Sequence, residues 1–202
     1  MSQPRSARIP LAWRALAVLA LAAVCLASPP ARLLAAPDAQ AAPAQPLPPT
    51  LDLDAVAAQV AALHHANGGA TVNLYRGDLA GQALYVVVVY PELSEAVPGP
   101  ELDAARVRQF IADHLALLAD PRNNVGTWFN DEDGNSYLDV STALPDRAQA
   151  VALGSQYNQM GVFDLSRMAT IELGGTGEPP PGLPPIEQRL PPLPADVVPS
   201  RS

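Results

Sequence analysis

The stretch VGTWFNDEDGNSYLDVSTALPDRAQAVALGSQYNQMGVFDL, residues 125–165, decides how this chain folds. Residues 125–130 and 136–142 alternate along the chain, with Trp128, Tyr137 and Val140 among the large side chains, and Asp131-Glu132-Asp133-Gly134 stands between them. Alternation puts successive side chains on opposite faces of a sheet, and Asp-Gly supplies the backbone a tight turn needs. A hairpin is predicted. An acidic loop also invites a calcium reading, but the EF-hand pattern needs an oxygen ligand where Phe129 stands and a Glu twelve positions into the loop. Neither is there, so the acids read as a solvated turn and no metal is assigned.

The same stretch then changes period. Pro145 is placed to open a helix in its first turn, with Asp146 favourably set against the helix dipole. Ala150, Leu153, Gly154 and Tyr157 follow at helical spacing, and small residues at 150 and 154 let that face lie close against a sheet. Asn158 suits the left-handed residue that ends the helix. Residues 160–165 read as a strand and 168–173 as its short partner.

Outward toward the N-terminus, a helix is predicted over 52–67, with Leu53, Val56, Val60 and Leu63 as its apolar stripe, Asp52 as its cap and Gly68 past its end. His64 and His65 sit in its last turn, where the helix dipole favours a cation, and are expected on the surface and not as metal ligands, since adjacent helical side chains diverge by about 100° and cannot share one ion. Residues 71–75 and 84–90 are expected to pair as a hairpin about Gly77 and Gly81. The run LYVVVVY, apolar at every position, marks a central strand covered on both faces. A second helix is predicted over 100–119, with Val107, Phe110, Ile111, His114, Leu115 and Leu118 facing inward and Asp103, Arg106 and Asp113 facing water.

The resulting expectation is one α+β domain over residues 50–175. It has an antiparallel or mixed sheet of about six strands, two ββα-like units plus a terminal hairpin, packed by three helices. Ahead of it, Arg5, Arg8 and Arg14 precede the apolar run ALAVLALAAVCLA, which has the layout of a secretory signal and is too short to span a bilayer. Residues 1–41 are read as that signal, with an uncleaved membrane anchor as the alternative, and Val24 before Cys25 argues against lipidation. Residues 42–49 read as a Pro/Ala-rich linker, and 176–202 as a Pro-rich disordered tail with polyproline II character.

Charge and composition exclude several functions. All 12 basic residues are Arg, and removing residues 1–41 leaves 8 of them against 19 acids. That balance repels nucleic acid and anionic lipid, so neither is an expected partner, and membrane contact is left only to an uncleaved signal. Loss of the single cysteine, Cys25, excludes disulfides and thiolate chemistry.

The residues Gly126-Thr127-Trp128, Tyr137-Leu138-Asp139-Val140-Ser141, Pro145-Asp146-Arg147, Ala150, Gly154, Tyr157-Asn158-Gln159 and Phe163-Asp164-Leu165 resemble a small module of bacterial and phage proteins without an assigned function. The resemblance brings no activity, cofactor or catalytic residue. The chain carries no G-x-S-x-G elbow, metal-spaced His/Glu set or phosphate loop. Arg76, Ser141-Thr142 and Glu172 loosely resemble the Arg–Ser–Glu order of ADP-ribosyltransferases, without the second acid of their Glu-x-Glu pair. Arg76-Gly77-Asp78 spells the tripeptide that integrins read on exposed loops. The favoured expectation is an exported, non-catalytic binding or structural module, with no cofactor and with a protein or cell-envelope partner. Its candidate surface is Trp128, Tyr137, Tyr157, Asn158 and Gln159. The competing expectation makes Trp128 and Tyr157 core residues, Asn158 a turn residue and Gln159 a backbone partner.

Overall fold

The computed structural model describes residues 47–48 and 51–190. The expected signal, most of the linker and residues 191–202 lie outside them. The described chain is α+β. Its elements run α1 (Leu53–Asn67), β1 (Gly69–Asn73), β2 (Gly77–Asp78), β3 (Tyr85–Val88), β4 (Glu95–Pro98), α2 (Ala104–Asp113), α3 (Leu115–Leu118), β5 (Asn123–Asn130), β6 (Asn135–Leu144), α4 (Arg147–Gln156), β7 (Gly161–Asp164) and β8 (Ala169–Glu172).

The expected hairpin is the centre of the sheet. β5 and β6 pair antiparallel from Asn130↔Asn135 to Asn123↔Thr142, around the turn at 131–134 where Gly134 takes φ 72°. The strand order is β2-β1-β5-β6-β3-β7-β8, and every pairing is antiparallel. Eight strands replace the six expected. The predicted pairing of the first two apolar strands is corrected: β1 lies against β5, whereas β3 lies against β6 on the hairpin's other side. Two separate ββα units are therefore not formed. β3 is nonetheless central, between β6 and β7, with Val87 in the main core and Val86 against a second cluster of Leu79, Ala143 and Leu165.

β3 and β4 run along the same edge of β6. Val88 stands opposite Ser141 and Glu95 opposite Leu138, so the chain leaves that edge between them and makes a short 3-10 turn, Pro91–Leu93. Asp139 and Val140 of β6 face that gap.

The helices pack on one face of the sheet. α1 is capped by Asp52, whose carboxylate accepts from the amides of Asp54 and Ala55, a contact worth about 1 kcal/mol. Its buried stripe is Ala57, Val60, Ala61 and His64, with Leu53, Val56 and Leu63 on the flanks, a rotation from the expected face. The predicted second helix breaks at His114 into α2 and α3. Asp146, not Pro145, begins α4: its side chain accepts from the Gln149 amide and leaves Pro145 outside the helix. Gly154 makes room as expected, since a Cβ there would lie 2.5 Å from Leu173 Cδ1 and 3.0 Å from Val162 Cγ2.

The described chain continues past the expected boundary at 175. Residues 176–190 return across the core, and Leu183, Ile186 and Leu190 pack against it. The anchor is Arg189, whose side chain is only 5% exposed. Its guanidinium donates to both carboxylate oxygens of Glu92, at 2.7 and 2.5 Å, and to the carbonyls of Val89 and Pro184, both at 3.0 Å. It also lies 5.6 Å from the ring centre of Tyr90 and 6.0 Å from that of Tyr157. A proline-rich composition does not bury much by itself, but one bidentate, ring-stacked arginine supplies a directional anchor.

Candidate functional site

The alternation of the central strands sorts the candidate residues by face. Leu138 and Val140 of β6 point to the helix side, so Tyr137, Asp139 and Ser141 point to the other. The register places Trp128 opposite Tyr137 and Gly126 opposite Asp139, and extends these rows to Gly69 and Thr71 of β1. On the far side of Tyr137 stands Ala96 of β4. The second cluster, built on Leu79, Leu84, Val86, Ala143, Phe163 and Leu165, covers one end of this face. The other end is open. There Trp128 is 44% exposed and stacks on Tyr137, ring centres 6.0 Å apart and planes 25° off parallel.

Acids surround the stacked pair. The Tyr137 hydroxyl donates to Asp133 Oδ2 at 2.5 Å. That bond holds the Asp133 carboxyl below its ordinary pKa and raises that of Tyr137. Asp139, half-buried in the gap between β3 and β4, accepts from the Ser94 hydroxyl. Burial pushes its pKa up to about 6, with the Ser94 hydrogen bond opposing the rise. The five ion pairs among the described residues join other partners and leave Asp131, Glu132, Asp133 and Asp139 without a cation.

The five residues expected to form one surface thus divide. Trp128 and Tyr137 come together on the open face. Tyr157 belongs to the core, 1% exposed, with its ring beside Arg189, as the competing expectation had it. Asn158 takes φ 55° and binds Thr176 and the carbonyl of Glu178 through its amide nitrogen, so it joins the end of α4 to the returning tail. Gln159 donates to the Tyr157 carbonyl at 3.3 Å. Sequence reading missed Asp139, although its place two residues from Tyr137 in an alternating strand was a signal for it.

The remaining motifs are not assembled into sites. Arg76 is exposed in the turn before edge strand β2, and Glu172 lies on the opposite edge strand, β8. Between them Ser141 and Thr142 are buried, and Thr142 donates to Asn123 Oδ1 at 2.8 Å. Asp78 sits within β2 and accepts from the Ala80 amide at 3.0 Å, so Arg76 and Asp78 do not share a free loop apex. His64, expected on the surface, is 1% exposed.

These features define an α+β protein with one helix-covered sheet face and one partly open face that carries a stacked aromatic pair. Comparison with protein families, with curated proteins and with solved structures finds no match to this chain.

Proposed function

We propose that this protein is an exported, non-catalytic binding module that takes a cell-envelope ligand on the open face at Trp128, Tyr137 and Asp139. The observation that carries this reading is the exposed Trp128–Tyr137 stack. A chain that buries Phe110, Ile111 and Tyr157 fully has the core to bury an indole as well. An aromatic pair left in water on a rigid strand pair has its area and orientation ready for a partner, at little ordering cost on binding. The residues opposite them in the flanking strands are small, Gly69 beside Trp128 and Ala96 beside Tyr137.

Replacing Trp13 with Phe leaves Trp128 as the only tryptophan in the full chain. Titrating that variant with fragmented cell-envelope material is expected to give a saturable change in Trp128 fluorescence, reduced by Tyr137→Ala in a variant that keeps its circular dichroism. An emission unaffected by all envelope fractions would overturn the reading.

A further inference from the structure

We propose that the open face recognises arginine side chains on an extended basic polypeptide, an assignment that rests on the binding reading above and names its ligand class. The chain already builds this chemistry internally. Arg189 sits beside the rings of Tyr90 and Tyr157 with its guanidinium held by Glu92. The open face repeats those components, with Trp128 and Tyr137 as the rings and Asp133 and Asp139 as the carboxylates, but none of the ion pairs among the described residues places an arginine there. A planar guanidinium stacks on an indole face and donates sideways to carboxylates, so ring and acid act on the same group.

The spacing favours a peptide over a small amine. Tyr137 and Asp139 are alternate residues of one strand, about 7 Å apart along it, and an extended peptide presents every second side chain at that same repeat. Asp133, bound to the outer end of the Tyr137 ring, and the exposed Asp131 and Glu132 continue the negative charge past the turn. Several carboxylates in a line match several cations in a line. The protein's surplus of acids strengthens the attraction at long range.

The test uses the full chain with Trp13→Phe and an end-blocked peptide alternating arginine and glycine over six residues. Saturable change in Trp128 fluorescence is expected, weakened by 1 M salt, which screens charges beyond about 3 Å. Asp139→Asn should weaken binding about fivefold and Asp133→Asn with Asp139→Asn more than that, the scale of surface charge pairs. Calorimetry on Trp128→Ala should show binding lost while the thermal transition stays cooperative. Equal binding of a peptide with glutamine in place of arginine would overturn the proposal, as would unchanged affinity in the double Asn variant. A response to envelope fragments or to a neutral N-acetylglucosamine oligomer, with none to the arginine peptide, would remove the cationic assignment and leave the binding face standing. Silence toward every ligand would remove both.

Discussion

His64 and Asp139 are two ionisable residues whose surroundings push their stabilities in opposite directions. His64 Nε2 lies 2.9 Å from the Ser136 hydroxyl, and that hydroxyl donates to the Gly99 carbonyl, so Nε2 must carry the proton and donate to Ser136. Nδ1 then accepts from the Thr127 hydroxyl at 3.0 Å. Both ring nitrogens are thus satisfied in the neutral form, and burial first, then the charge of neighbouring His65, lowers the pKa, against a smaller raising contact with the Pro100 carbonyl. An unfolded histidine takes up its proton near pH 6.5 while the folded one resists, so stability is lost as pH falls below about 6.5. His64→Gln should cost about 1–3 kcal/mol at pH 7.5 and lose part of that deficit toward pH 5, read from urea melts of the two proteins. A deficit independent of pH would mean that His64 has the same proton affinity in the folded and unfolded states. Asp139 has the reverse sign. Its folded pKa is raised to about 6, so the cost of its charge is absent below the unfolded value and fully present above about pH 6. Asp139→Asn should therefore stabilise the protein at pH 7, with the gain fading toward pH 4, while it weakens ligand binding. A half-buried carboxylate that costs folding stability when charged fits a binding role better than a structural one.

Among the elements, the hardest to foresee is the returning segment 176–190. Gly175 begins it at a point where a Cβ would lie 2.5 Å from the Asn158 carbonyl oxygen and close against that of Gln159. Those atoms are backbone and cannot swing aside. Gly175→Ala is expected to unseat the segment and lower stability by about 2–3 kcal/mol, with limited proteolysis newly cutting between 176 and 190. An unchanged melting curve would show that the corner at Asn158 adapts. What was legible in the sequence was local: the Asp52 cap, the 131–134 turn, Gly154 against its sheet and Asn158 at the end of α4 each follow from a residue's own backbone preference or size. Pairing of β1 with β5 was not, because alternation says which way a side chain points and never which strand it will meet. The face of α1 was misjudged for a related reason. Leu53, Val56 and Leu63 outweigh Ala57 and Ala61 in hydropathy, yet the small residues allow the closer approach to the sheet, and they carry His64 inward with them. For the candidate site, Trp128 and Tyr137 were legible as a cross-strand pair, whereas Tyr157 needed knowledge of Arg189, 32 positions on in a segment that composition alone marks as unpacked.

At the scale of the whole molecule, contacts distant in sequence govern how the fold assembles. The central hairpin is local, but β1 must find β5, β3 must find β6, and Arg189 must find Glu92 across 97 positions. Antiparallel sheets closed by such pairings fold on the order of milliseconds to seconds, because chain entropy is lost before the contacts repay it. The Arg189 socket combines the Val89 carbonyl, Glu92 and the rings of Tyr90 and Tyr157, so it exists only once β3, its following turn and the end of α4 are already packed. Docking of the segment therefore belongs after the main folding barrier. Arg189→Ala leaves Glu92 without its cation, and because that carboxylate keeps some contact with water, the loss should be about 2 kcal/mol, below the range for a fully buried pair. If the contact forms late, the whole loss appears as unfolding that is faster by about thirtyfold, with the refolding rate unchanged. Stopped-flow refolding and unfolding in urea, followed through Trp128 in the Trp13→Phe background, separates the two limbs. Refolding slowed by the same factor, with unfolding unaltered, would instead place residues 176–190 in the folding nucleus and make the returning segment part of the protein's first organised structure.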